Sequence, residues 1–143
     1  MSTFELFLQL PLFKGIEMED LFSLIPKINL DFESFQPDEV VFSPGMEAKG
    51  LVYLLKGEAK VLFKGHERIV EGPVLLSFTE LFGAKNNFLI ETTAREFCST
   101  LNIDTKSLLY LLRNCPVFLS NYLSLLSDTI DSLYFNNNEF RIV

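Results

Sequence analysis

Between Ile28 and Ile103 the sequence runs as short stretches of β-branched, aromatic and aliphatic residues, cut by Gly, Pro, Asn and Asp at intervals of roughly eight to twelve residues. That is the rhythm of a β-sandwich or roll. Candidate strands are Ile28–Phe35, Val40–Phe42, Leu51–Lys56, Ala59–Phe63, Arg68–Val70, Val74–Ser77, Leu89–Phe97 and Ser99–Ile103. Lys56-Gly57-Glu58 and Lys64-Gly65-His66 read as turns, because glycine tolerates the positive φ that tight hairpins demand. No internal repeat or low-complexity linker is visible.

Helical patterns flank this region. Residues 3–25 read as two short helices interrupted by Pro11 and Gly15, with apolar stripes of Phe4, Phe7, Leu8 and Leu10 and then of Ile16, Leu21, Phe22 and Ile25; Pro26 ends them. Asp104 is placed to cap a helix that begins over Ser107–Leu112, and Asn114-Cys115-Pro116 breaks it. Residues 117–135 hold no Gly or Pro and set Leu119, Leu123, Leu126, Ile130 and Leu133 at successive spacings of 4, 3, 4 and 3. A period of 3.5 lets such a stripe face an identical helix, so these five residues are the expected seam of a homodimer. The alternative is a plain amphipathic helix packed on its own roll.

Composition bounds the rest. The 143 residues suffice for one ordinary domain, 1–143, divided into N-terminal helices (1–26), a β-roll (27–103) and C-terminal helices (104–143). With 48% hydrophobic and 22% charged residues, and 15 Phe but no Trp, the core is expected to be filled by Phe and Leu. The strongest apolar stretch, Phe4 to Phe13, is far short of the roughly 20 residues of a membrane helix, and the N-terminus lacks a signal-peptide pattern, so no membrane association and a cytoplasmic address are expected. Cys98 and Cys115 fit buried small hydrophobes, with a disulfide or redox sensor as the alternative. A net charge of −7, from 12 Lys plus Arg against 19 Asp plus Glu, leaves no basic stripe to track a phosphate backbone, so the chain alone is not expected to touch nucleic acid.

The order of motifs resembles the cyclic-nucleotide-binding domain of Crp/Fnr-like regulators over nearly the whole chain. Pro11-Leu12-Phe13-Lys14-Gly15-Ile16 with Glu19-Asp20-Leu21 is similar to that family's helical opening. Phe35-Gln36-Pro37-Asp38-Glu39-Val40-Val41-Phe42-Ser43-Pro44-Gly45 is similar to its first strand pair, with Asp38 in place of a Gly. Leu51-Val52-Tyr53-Leu54-Leu55-Lys56-Gly57-Glu58-Ala59-Lys60-Val61 matches best, and Ala94 to Cys98 with Leu101-Asn102-Ile103-Asp104 resemble the last two strands. The resemblance implies a mainly β chain with flanking helices, a double-stranded antiparallel β-helix of jelly-roll type plus a C-terminal dimerisation helix.

In that family a short helical cassette follows Gly-Asp and carries a Gly-Glu pair, then an Arg further on. The Glu accepts from the ribose hydroxyl, backbone N–H groups receive the phosphate and the Arg pairs with its charge. Starting the cassette at Gly72-Pro73-Val74-Leu75 puts Leu76-Ser77 at Gly-Glu and the Arg position near Asn87 or Phe88. Starting it at Leu81-Phe82-Gly83-Ala84 matches Gly83 but replaces Glu by Ala84 and leaves few residues before Ala94, so the first alignment is preferred. Either way Glu and Arg are both missing, and an unpaired phosphodiester forgoes a charge-assisted bond worth about 1.5–3 kcal/mol. The candidate pocket residues are Leu76 and Ser77, then Lys85, Asn87 and Phe88, then Thr92 and Thr93 on the closing strand. Lys85 is the one nearby cation and otherwise reads as a solvated loop residue; the pocket is left to an apolar or neutral ligand, or is filled by Phe78, Phe82 and Phe88.

Catalytic and metal chemistry find no support. His66 lies in a charged, solvated turn, and with two cysteines it cannot complete a zinc or iron–sulfur set. No nucleophile elbow or phosphate-binding glycine loop occurs. Glu17, Glu19 and Asp20 complement a helix dipole better than they form a catalytic pair. The expected role is therefore a non-enzymatic, cofactor-free ligand-sensing and dimerisation domain of a Crp/Fnr-like transcriptional regulator, answering to an unknown small-molecule effector and not to cyclic AMP or cyclic GMP in the family's usual way. The alternative is a stand-alone fold serving as a protein interaction module without ligand sensing. In that family a helix-turn-helix domain makes the DNA contact; here the chain stops at Val143, just beyond Asn136-Asn137-Asn138, so it ends at that hinge or is a stand-alone roll.

Overall fold

The structure, a computed structural model, describes Thr3–Asn136 and the side chains from Glu5 to Ser132. Among these, the residues up to Pro26 and from Tyr110 onward form a helical unit, and Lys27–Leu109 form a β unit. The first boundary follows Pro26, and the second falls inside a helix.

The β unit is built around Gly50–Lys56 (β3). Its run Leu51-Val52-Tyr53-Leu54 is buried on both faces, which is why these residues are apolar without alternation. The remaining strands are Leu30–Phe35 (β1), Val40–Phe42 (β2), Glu58–Phe63 (β4), His66–Glu71 (β5), Val74–Ser77 (β6), Glu91–Ala94 (β7) and Cys98–Asp104 (β8). They form two antiparallel four-stranded sheets, ordered β1-β8-β3-β6 and β2-β7-β4-β5. Leu54, Ala59, Ala94 and Cys98, one from each of β3, β4, β7 and β8, make a core cluster onto which Phe35, Val70, Val74 and Leu76 pack. This is a jelly roll.

Turn chemistry sets the registers. Lys64 (φ 48°) and Gly65 (φ 81°) are both left-handed and join β4 to β5 directly, pairing Phe63 with His66. His66 is thus the first residue of a strand and not part of the turn. At Gly57 (φ 98°) an added Cβ would run into the Phe97 carbonyl oxygen and come within 2.9 Å of Cys98 Sγ. Asp38 also takes a positive φ, 72°, at the position where the resembling family carries glycine. The strand expected over Leu89–Phe97 is shorter, because Arg95–Phe97 bend from the sheet of β7 to that of β8, Arg95 N–H donating to Glu58 O at 2.9 Å.

Asp104 caps as expected: its Oδ1 accepts from Ser107 N–H at 2.7 Å, and its Oδ2 accepts from Asn29 Nδ2 at 3.1 Å. Burial pushes the Asp104 carboxyl up, but the Ser107 and Asn29 hydrogen bonds and the Lys106 charge outweigh it and hold the group below its ordinary range. Burial pushes the Cys98 thiol up, and its Sγ donates to Glu58 O at 3.1 Å, as suits an inert core residue.

In the helical unit, Thr3–Leu8 (α1) and Met18–Leu24 (α2) are the two short helices expected, and Pro26 sits within a 3₁₀ turn, Ile25–Lys27. Thr105–Asn114 (α3) runs from one unit into the other, and Pro116–Asn136 (α4) starts with Pro at its first position, where the missing N–H is harmless. Phe118 and Tyr122 of α4 are buried, and the Phe118 ring lies 5.2 Å from Phe13, itself 4.4 Å edge-on from Phe7. Asn121 Nδ2 donates to Leu12 O at 2.9 Å and Lys14 O at 2.8 Å, tying the Pro11–Phe13 turn to α4.

Candidate functional site

Between β6 and β7 the chain makes a loop, residues 78–90, that contains no helix. Leu76 and Ser77 belong to β6: Ser77 pairs with Val52 and Leu76 packs on the core cluster. The alignment that began a helical cassette at Gly72 is therefore corrected, because Val74–Ser77 complete the sheet beside β3. Ser77 Oγ and Thr79 Oγ1 both donate to the Glu80 carboxylate, so this acid is used up in its own turn.

The end of the loop is sewn to Gly45–Ala48. Gly45 N–H donates to Phe88 O at 3.1 Å, Phe88 N–H to Met46 O at 2.9 Å and Ala48 N–H to Asn86 O at 2.7 Å, with Asn87 bridging Glu47. These bonds drive Phe88 inward, where it stacks on Phe42 with centroids 4.1 Å apart and planes 9° from parallel. Phe88 is buried, Phe78 half-buried, and Phe82 and Lys85 exposed, so of the three Phe expected to fill the interior Phe88 does so most completely. Thr92 is buried and Thr93 half-buried on β7.

A cavity of about 270 Å³ opens beside this stack. Of its lining, Phe42, Val52, Phe88 and Thr100 are buried, Phe35, Val41 and Asn102 half-buried, and Glu33, Met46, Glu47 and Lys49 exposed. Asn102 Nδ2 donates to Glu33 Oε1 at 2.6 Å, from β8 to β1. A carboxylate only accepts, so this bond turns Asn102 Oδ1 away; that oxygen and Thr100 Oγ1 are buried and find no hydrogen-bond partner among the described residues. Of the seven expected pocket residues, Phe88 alone lines this cavity. The residues that sequence reasoning missed are Glu33, Thr100 and Asn102. Their signal is the alternation of β8, where Thr100 and Asn102 interleave with Leu101 and Ile103.

On α4 the expected seam divides from the buried side. Leu119, Leu123 and Ile130 are exposed at 38%, 54% and 50%, and Leu126 is half-buried. The Leu133 side chain lies outside the described residues, as does Asn137-Asn138 of the expected hinge. Among the described residues no helix is long and apolar enough to cross a membrane, and no group of three or more His, Cys, Asp or Glu is placed to hold a metal ion.

No protein-family model matches the sequence, and no curated protein matches it. Solved structures do match. The catabolite activator protein of Thermus thermophilus superposes with a TM-score of 0.75 at 18% identity, over 89% of this chain and 61% of that one. The sensor domain of the transcriptional regulator DNR from Pseudomonas aeruginosa gives 0.65 at 21% identity, over 97% and 93%. The N-terminal domain of a transcriptional regulator from Streptomyces coelicolor A3(2) gives 0.68 at 18%, over 94% and 99%. This chain thus spans 61% of the length of the catabolite activator protein but nearly all of the two isolated domains. With eight antiparallel strands in two sheets and helices after them, the chain has the cyclic-nucleotide-binding jelly-roll fold of Crp/Fnr sensor domains.

Proposed function

We propose that the chain is the ligand-sensing and dimerisation domain of a Crp/Fnr-like transcriptional regulator, non-enzymatic and cytoplasmic, that does not hold cyclic AMP or cyclic GMP in the family's usual way. Phe88 carries this reading. It lines the cavity of the roll and is buried in a stack on Phe42, an aromatic ring where a phosphate would need a cation. Lys85, the cation expected near a phosphate, is exposed and does not line the cavity. A phosphodiester entering here would lose hydration against an aromatic ring, and the one cation of the lining, Lys49, is exposed and accompanied by the Glu33 and Glu47 carboxylates. The exposed Leu119, Leu123 and Ile130 support pairing of α4 with a second copy.

Calorimetric titration of cyclic AMP and cyclic GMP into the chain tests the reading. Dissociation constants weaker than about 100 μM, equivalent to less than roughly 5.5 kcal/mol, are expected. A micromolar constant overturns it. A second reading, a protein interaction module without ligand sensing, is favoured by Phe82 and Leu89, exposed at 47% and 63% on the loop beside Phe88. It requires that no small molecule bind the roll.

A further inference from the structure

We propose that the free edge of β5 takes up one further strand, an extended segment of another protein that sets a basic, an aliphatic and a basic residue opposite Glu67, Ile69 and Glu71. The β4–β5 hairpin fixes which backbone groups are free. Its two-residue turn makes Phe63 and His66 a hydrogen-bonded pair, and at the other end Gly72 N–H donates to Gly57 O at 3.0 Å. The register between these ends is unbroken, so His66, Arg68 and Val70 direct their N–H and C=O groups to β4, while those of Glu67, Ile69 and Glu71 point away from it. β5 is the last strand of its sheet, and among the described residues no strand meets these groups.

Charge decides what such an edge accepts. Two copies of β5, in the antiparallel register that uses all three residues, would set Glu67 against Glu71 twice, a repulsion that basic residues turn into attraction. Val70 packs on the core, so alternation puts both carboxylates and Ile69, 41% exposed, on the outer face of the sheet. The cations nearby are engaged or turned away. Lys60 Nζ lies 3.9 Å from Glu67 Oε1 in a loose, exposed pair of little strength, and Arg95 pairs with Glu58 at 3.5 Å. Lys64 Nζ sits over the Phe63 ring at 5.4 Å, and His66 and Arg68 stand on the face of Val70. Glu91, across Leu62 from Glu67, adds a further negative charge to the outer face. Backbone bonds supply the affinity of an added strand and its outward side chains the selection.

The probe is the end-blocked peptide Thr-Lys-Thr-Val-Thr-Lys-Thr, titrated into the whole chain and followed by amide chemical shifts and hydrogen exchange. It should bind with a dissociation constant of about 1 mM or tighter at low ionic strength, and slow the exchange of the Glu67, Ile69 and Glu71 amides, which in the free chain exchange faster than those of Arg68 and Val70. The same peptide with Glu in place of Lys should bind at least about tenfold more weakly, and so should one N-methylated at its valine, which keeps every charge but loses the central bond. Glu67→Lys combined with Glu71→Lys, at two exposed positions, should reverse the preference between the basic and acidic peptides. Ile69→Pro removes an N–H that β4 does not use, so the chain should stay folded and lose the peptide. Equal affinity for the basic and acidic peptides overturns the proposal, as do shifts that avoid β5, undiminished binding by the N-methylated peptide or by Ile69→Pro, or no saturation at all. The sensing reading does not enter this proposal and is judged separately, by nucleotide titration and by sedimentation.

Discussion

Replacing Leu123 with Glu should separate two chains while leaving each one folded. Leu123 keeps 54% of its surface exposed in the protomer, and Leu119 and Ile130 flank it on the same stripe. Burying a whole leucine side chain contributes about 1.5–3 kcal/mol, so covering the exposed half of Leu123 in both chains of a parallel pair contributes about 2 kcal/mol. The glutamate removes that and sets two carboxylates facing each other in an apolar seam, where desolvation alone costs several kcal/mol. The dissociation constant should therefore rise at least about 100-fold, or about 2.7 kcal/mol. Within one protomer a half-exposed position away from special backbone geometry tolerates such a change within about 1 kcal/mol, so the circular dichroism and melting curve should barely move. Sedimentation equilibrium of both proteins reads the result. A wild type that is monomeric at about 50 μM, where a contact of about 6 kcal/mol would be half assembled, refutes the seam, and so does a Leu123→Glu protein that stays dimeric.

Asp38→Gly should stabilise the chain by up to about 1 kcal/mol, since glycine occupies a φ of 72° without the clash an L side chain meets there. Chemical denaturation measures it, and a loss of stability would mean that the exposed Asp38 side chain does more than fill a turn. Asp104→Ala should cost about 1 kcal/mol at neutral pH through the lost cap. Because the Asp104 carboxyl is held below its ordinary range, the stability it lends is complete above the unfolded carboxyl value of about 3.9 and is lost as pH falls through the folded one. The gap between wild type and Asp104→Ala should accordingly narrow below about pH 4, and a gap that is constant from there to neutrality would contradict the charge-based account.

The strands were legible because their boundaries are local. Gly57, Lys64-Gly65 and Asp104 act within a few residues of themselves, so turn and cap chemistry places β3, β4, β5 and α3 without tertiary information. The loop after β6 was misplaced for the opposite reason. Val74-Leu75-Leu76-Ser77 satisfies both a strand and a family motif started at Gly72, and pairing with β3 decides between them. Proximity of Glu33 and Asn102 is beyond any local signal, since they stand 69 residues apart and meet only through the register of β1 on β8.

What hid the cavity is a rule that ordinarily works. On a sheet with one wet face the polar residues of an alternating strand point to water, and by that rule Thr100 and Asn102 would be surface positions. β8 breaks the premise, because Leu101 and Ile103 on one face and Thr100 on the other are all at most 1% exposed. When both faces of a strand are covered, period-2 alternation still sorts residues by face but no longer says which face is outside. The polar row then lies in the interior, where each unpaired hydroxyl and amide oxygen must be matched by a neighbour or by a guest. Glu33 stands beside that row and satisfies the Asn102 amide, while Asn102 Oδ1 and Thr100 Oγ1 stay buried without a partner among the described residues.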